Sequence, residues 1–186
     1  NGTVAVGVST IGVDFEVAEG ATATVNGDNA DFNDKVMVNG NLVIDATNVT
    51  LDGTTVVYGT VSVEEDASAT AKRIFIGFDQ DADNENLVIN IGSGTVSGVT
   101  LGSAGVAIVT PESAFTPVQT QSENIVSTEY YIDDALWMTA YAASGNVAIP
   151  DLNAQIDNAE FIAWENADGD AIVESGTYKN IGSTGF

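Results

Sequence analysis

Apolar and polar residues alternate with a period of two over most of the chain. Val4, Val6 and Val8 follow this pattern near the start, and the apolar residues at 74–78 and 87–91 follow it further on. Such alternation is typical of β-strands with one buried face. Thr, Val and Gly are common and Leu and Lys are scarce, which favours strand over helix. The pattern predicts an all-β protein.

Turn signals separate the predicted strands. Asn39-Gly40 and Asp52-Gly53 lie between apolar runs, and Asn26-Gly27 is a third candidate. These dipeptides suit the two-residue turns of β-hairpins. Residues 35–64 therefore indicate a meander of four or five short strands. We expect an antiparallel β-sandwich or jelly-roll that forms a single domain over residues 1–186.

One string suggests a different architecture. The segment "NLVIDATNVTLDGTTVVYGTVSV", residues 41–63, resembles rungs of the right-handed parallel β-helices of bacterial and archaeal surface adhesins. That resemblance implies a short right-handed β-solenoid segment. A solenoid repeats at a fixed period, whereas this string offers one rung and part of another. The solenoid is therefore the alternative to the sandwich.

Two segments depart from the strand pattern. Residues 110–124 contain two prolines and no periodicity, which indicates a long surface loop or a seam between two halves. Residues 133–144 are compatible with a helix, because Asp133 or Asp134 could cap its start. They are also compatible with a strand, because Trp137 belongs to an alternating series. The sequence leaves this choice open.

The charge excludes whole classes of partner. The chain has 27 acidic and 4 basic residues, a formal net charge of -23. Nucleic acids and anionic membrane surfaces are bound through Lys and Arg, so neither is an expected partner. No run of eighteen apolar residues occurs, so we expect no membrane insertion.

The chain contains no Cys and no His. Thiol chemistry, disulfides, His-based catalysis and His/Cys zinc sites are therefore excluded. A metal site would consist of oxygen ligands, which favours calcium or magnesium over zinc or copper, and we expect calcium. Serine triads use His as their base, and the chain has none. A glycan-active enzyme with two facing carboxylates is a further alternative, but no catalytic motif stands out, so we expect no enzyme.

An acidic cluster follows the strand that ends near Phe78. Asp79, Asp81 and Asp83 are spaced two residues apart, and Glu85 follows them. Several carboxylates in one loop can surround a calcium ion, although the spacing is not that of an EF-hand. The alternative is a solvated hairpin loop.

A second acidic cluster lies near the end of the chain. Asp168 and Asp170 flank a glycine, and Glu174 follows four residues later. These residues are also candidate calcium ligands, and the alternative is a tight hairpin turn. A halophilic origin would explain the acidity without any metal site.

Aromatic and polar residues offer weaker signals. Trp137 and Trp164 lie among acidic residues and would suit either a sugar site or the core. Asn48 lies in an Asn-Val-Thr triplet and is a possible glycan attachment site.

The first strand, residues 3–9, is a candidate for exchange between subunits. Val4, Val6 and Val8 would form an assembly strand that pairs with a neighbour's open edge, or an ordinary first strand. The chain begins at Asn1 and enters this pattern at once, which we interpret as a mature, exported chain.

Over its whole length the composition is similar to that of secreted prokaryotic filament, tube and surface-layer subunits. This similarity implies a self-assembling protein at the cell surface. We therefore expect a structural subunit that forms a homopolymer by edge-strand pairing, aided by calcium. The alternative is a calcium-stabilised carbohydrate-binding or adhesive module that binds glycans.

Overall fold

The structure is a computed structural model that describes residues 3–6, 10–83, 86–118, 125–132, 135–143, 160–166 and 171–177. Within these residues every regular element is a strand. In chain order the strands are β1 (Thr3–Val6), β2 (Thr10–Ile11), β3 (Phe15–Val17), β4 (Thr22–Val25), β5 (Asp31–Phe32), β6 (Val36–Val38), β7 (Asn41–Ile44), β8 (Val49–Val57), β9 (Thr60–Val63), β10 (Ala69–Ile76), β11 (Phe78–Asp83), β12 (Asn86–Ile91), β13 (Thr95–Val109), β14 (Ala114–Pro117), β15 (Ile125–Ile132), β16 (Ala135–Ala143), β17 (Glu160–Asn166) and β18 (Ala171–Thr177).

Most strands of the main sheet pair in parallel with the strand one turn further along the chain. Ladder 1 consists of β1, β4, β7, β9, the start of β13, and β14. Ladder 2 consists of β2, β5, the starts of β8 and β10, and the middle of β13. Ladder 3 consists of β3, β6 and the last parts of β8, β10 and β13. Together the ladders form a β-solenoid of about five turns.

The predicted antiparallel β-sandwich or jelly-roll is therefore wrong, and the solenoid alternative is confirmed. The hairpin interpretation of the turn dipeptides caused the error. Asn39-Gly40 joins β6 and β7, which pair with different strands and not with each other. Asp52-Gly53 lies inside β8, and Asn26-Gly27 lies between β4 and β5. Such dipeptides permit a solenoid corner as readily as a hairpin.

Each solenoid turn uses a nearly constant length of chain. In ladder 1, Thr3, Thr22, Asn41 and Thr60 are successive partners, so these turns take 19 residues each. Thr60 then pairs with Thr95, because the β11–β12 hairpin is inserted between β10 and β13. The inserted hairpin interrupts the repeat in the sequence but not in the ladder.

Inward-pointing side chains of all three ladders form one hydrophobic core. In ladder 1, Ala23, Leu42, Val61 and Val96 occupy equivalent places on successive turns, and all are buried. Burying a Val or Leu side chain stabilises the fold by roughly 1.5–3 kcal/mol, so the stacked turns stabilise one another.

A second apolar layer covers the outside of ladder 3. Val56, Phe75 and Ile108 alternate with the inward-pointing residues of their strands, yet they too are buried. The ring of Phe78 packs edge-on against Phe75 and Trp137, with centroid distances of 5.5 and 6.2 Å. Trp137 belongs to β16, which pairs with β13 and β15 in antiparallel fashion. The helix alternative is therefore wrong over residues 135–143, the described part of 133–144.

Hydrogen bonds fix the base of the inserted hairpin. Gly77 adopts a φ of 67°, donates its N–H to Val57 O at 2.8 Å and accepts a 2.7 Å bond from Gly92 N. Thr110 Oγ1 donates to Gly92 O at 2.8 Å, and its hydroxyl lies 2.7 Å from Ser113 Oγ. The positive φ favours glycine at this exit from the solenoid. Beyond the hairpin, β12 pairs with β17 and β17 with β18 in a second sheet.

Candidate functional site

A polar cleft of about 400 Å³ lies where ladders 2 and 3 meet, beside the base of the inserted hairpin. Its lining includes basic, acidic, amide and hydroxyl side chains and one aromatic ring. The lining residues are Asn33, Asp34, Lys35, Gly53, Thr54, Arg73, Phe75 and Asp79.

Successive solenoid turns place the lining residues above one another. Arg73 pairs in register with Thr54 of the preceding turn. Lys35 occupies the place equivalent to Thr54 on the turn before that. Next to Thr54, a Cβ on Gly53 would lie 2.0 Å from the carbonyl oxygen of Asp34, the residue before Lys35. Two backbones are therefore in contact at this corner, and only glycine fits there.

An ion pair joins the hairpin to the solenoid. Lys35 Nζ lies 2.9 Å from Asp79 Oδ2, and the Asp79 side chain is only 11% exposed. Tyr58, from a neighbouring corner, donates its hydroxyl to Asn90 O at 3.0 Å. Asp79 and Asn90 are opposite each other in the hairpin, so these contacts hold both of its strands against the solenoid.

The surroundings of Tyr58 favour the neutral form of its hydroxyl. Burial, and then the negative charge of Asp79, raise the pKa of Tyr58 well above its ordinary value of 10.0. Because the pKa of Tyr58 is higher in the folded state, the neutral Tyr58 hydroxyl contributes to the free energy of unfolding. This contribution is complete below pH 10 and is lost as pH rises through the folded-state pKa. We expect the absorbance titration of the native protein to match that of Tyr58→Phe up to about pH 11, with no extra tyrosinate from Tyr58. A difference of one tyrosinate near pH 10 would contradict this.

The first predicted calcium cluster is only partly described. Asp79 forms the ion pair with Lys35. The backbones of Asp81 and Asp83 belong to β11, opposite Val88 and Asn86, and their side chains lie outside the described part of the chain, as does the whole of Glu85.

The second predicted cluster is described less well. Asp168 and Asp170 lie outside the described residues, and of Glu174 only the backbone in β18 is described. Among the side chains that the structure describes, no three acidic groups come together to hold a metal ion. Calcium binding stays a prediction.

The predicted assembly strand lies at one end of the solenoid. Val4 and Val6 belong to β1 and pair in parallel with Ala23 and Val25 of the same chain, while Val8 lies outside the described residues. Strand exchange between subunits stays a prediction.

Two further sequence candidates have contrasting outcomes. Asn48 is exposed at a corner with a φ of 57° and donates from Nδ2 to Asn29 Oδ1 at 3.4 Å, a position that a glycan could reach. Trp137 is a core residue, 8% exposed. The side chain of Trp164 lies outside the described part of the chain.

Sequence reasoning missed Lys35, Tyr58 and Arg73 as site residues. For Lys35 and Arg73 the available signal was charge, since they are two of only four basic residues in a chain of net charge -23. Tyr58 had no such signal. The lining side chains of the cleft include both hydrogen-bond donors and acceptors.

No protein-family model, curated protein or solved structure matches the chain. Within the described ranges, no helix is long and apolar enough to span a membrane.

Proposed function

We propose that the chain is a structural module of an extracellular filament, tube or surface layer, and that copies join through the open edge of the first solenoid turn. The proposal assigns the protein no catalytic role. Its location at the cell surface and its homopolymeric state belong to the same proposal.

The open edge of turn 1 is the observation that carries it. In the part of the chain that the structure describes, no strand pairs with the outer edges of β1, β2 and β3. Phe15 N donates to Lys35 O, and Val17 O accepts from Asn39 N. Because alternate residues of a strand direct their backbone groups to opposite edges, the N–H and C=O of Glu16 point away from turn 2. Open edges of this kind are templates for another chain.

We propose that calcium promotes assembly because the subunits are strongly negative. Subunits with a net charge of -23 repel each other, and salt screens this repulsion only in part. A divalent cation that bridges carboxylates would lower the repulsion where two copies meet. We propose that the acidic clusters at 79–85 and 168–174 supply such carboxylates.

Proline at Glu16 tests the open edge directly. Glu16→Pro removes an N–H that makes no bond within the ladder, so we expect the monomer to stay folded and assembly to stop. Glu16→Ala is the matched control, because it removes the same carboxylate and keeps the N–H. Light scattering and electron microscopy would follow both variants and the native chain as calcium is titrated, with sodium at equal ionic strength in parallel.

The outcomes separate the parts of this proposal. Assembly of the native chain and of Glu16→Ala, but not of Glu16→Pro, supports edge pairing. If Glu16→Pro assembles like the native chain, the edge is not the contact. If the native chain stays monomeric at millimolar calcium, the structural function itself is rejected.

The cleft favours a second candidate, a carbohydrate-binding or adhesive module. Lys35, Asp34 and Asn33 supply hydrogen-bond donors and acceptors beside Phe75, as a sugar-binding cleft requires. This candidate predicts discrete monomers that bind a glycan. Loss of glycan binding in Asp34→Ala, with monomers throughout, would favour it over the structural function.

A further inference from the structure

Among the side chains that the structure describes, one face of the solenoid has no charged group. On β4, β7, β9, the start of β13 and β14, the first and third residues point away from the core. They read Thr-x-Thr, Asn-x-Val, Thr-x-Ser, Thr-x-Ser and Ala-x-Thr, and all are half-buried or exposed. We call these ten positions the uncharged face.

Each of the other two ladders carries an acidic group on its outer side. Ladder 2 has Asp31 on its outer side, ladder 3 has Glu16, and the exposed Asp45 and Glu64 follow β7 and β9 at the rim of the uncharged face. In a chain with 27 acidic residues, a second copy that approached through these other surfaces would place carboxylates against carboxylates. The uncharged face avoids that direct repulsion.

The chemistry of the face is also complementary to itself. A Thr or Ser hydroxyl both donates and accepts a hydrogen bond, so a hydroxyl surface satisfies an identical surface turned towards it. A two-fold pair uses the same patch on both copies. β9 is the middle one of these five strands, so a two-fold axis that runs along β9, between the two faces, brings the two copies of Thr60 together.

The size of the face limits the strength of the contact. Five strands spaced about 4.8 Å apart, with outward residues spread over about 13 Å, cover roughly 300 Å² per copy. A stable interface buries about 800 Å² per partner, so a single contact of this kind is weak. It gains strength where many copies are already aligned in an array.

We propose that the uncharged face is a lateral, two-fold contact between copies of this chain. It joins neighbouring solenoids side by side, whereas the open edge of turn 1 joins them end to end. The lateral contact forms without edge pairing and becomes stronger where edge pairing aligns many copies. Since the rim remains acidic, screening by salt strengthens it.

Cysteine cross-linking tests the lateral contact. The native chain has no cysteine, so Thr60→Cys introduces the sole thiol. Thr70→Cys is the matched control, because Thr70 is also half-buried and points outward from a strand, but on ladder 2. We expect Thr60→Cys to form disulfide dimers at least about tenfold faster under mild oxidation, because a disulfide needs Cβ atoms within about 4.5 Å.

A second variant makes the outcome specific. Adding Val43→Glu to Thr60→Cys places a carboxylate on the same face and should return cross-linking to the rate of Thr70→Cys. Equal rates for the two single-cysteine variants, or no effect of Val43→Glu, would overturn the proposal and leave the face to an occupant other than this chain.

Each cysteine variant is also made with Glu16→Pro. Fast cross-linking that persists without end-to-end assembly supports the lateral contact alone. Assembly of the native chain without preferential cross-linking rejects the lateral contact and leaves the proposed function intact.

Discussion

Replacing Gly59 with alanine lowers the free energy of unfolding by about 3–5 kcal/mol and the melting temperature by about 10 °C. A Cβ at this corner would lie 2.0 Å from the carbonyl oxygen of Gly40 and 2.8 Å from the carbonyl carbon of Asn39. Both atoms belong to the backbone of the preceding turn, so no side-chain rotation relieves the overlap. The two turns must move apart, which weakens the ladder hydrogen bonds beside the corner.

The matched control is Gly12→Ala. A Cβ on Gly12 meets no atom within 4 Å, and Gly12 lies on the same solenoid. Alanine should therefore change stability there by less than about 1 kcal/mol, and a small gain is expected from the less flexible unfolded chain. Urea denaturation of both variants measures the difference. Equal losses would show that close stacking at the corners does not set the stability of the solenoid.

Truncating Phe78 to alanine should cost about 3–5 kcal/mol, because its side chain is fully buried between two aromatic rings. Phe78 is the first residue of β11 and immediately precedes Asp79. Its loss removes the packing that holds the inserted hairpin and β16 on the outside of ladder 3. We expect hydrogen exchange to accelerate first in β11, β12 and β16, while the inner turns remain protected.

Phe32→Ala is the counterpart in the inner core. Phe32 is equally buried and packs edge-on against Phe15 at 5.3 Å. Its truncation should accelerate exchange in the first three turns and leave the hairpin protected. If both variants accelerate exchange uniformly over the described strands, the outer layer and the solenoid unfold as one unit, and the separation described here is wrong.

Part of the core followed from the sequence. Ile74 and Ile76 belong to the predicted period-two series at 74–78, and they point into the core as the alternation predicts. Phe75 between them is apolar and buried as well, so the alternation did not predict the outer layer. The absence of helix in the described residues likewise follows from the abundance of Thr and Val.

A signal for the solenoid was present and was missed. The tripeptide Gly-Thr-Val occurs at 2–4, 59–61 and 94–96, in each case at the start of a rung of ladder 1. Gly40-Asn41-Leu42 occupies the same place on another rung. The inserted hairpin lengthens one repeat, so the fixed 19-residue period is broken just where a third Gly-Thr-Val would have revealed it.

The sequence by itself determined the all-β class, the inward side of strands with strict alternation, the strong negative charge and the restriction to oxygen ligands for any metal. These are properties of composition and local periodicity. Only the tertiary structure decided which strands pair, because the period-two pattern is the same for a parallel and an antiparallel neighbour. It also decided that Lys35 meets Asp79, 44 residues away, because that contact depends on how many residues each turn takes and on where the hairpin leaves the solenoid.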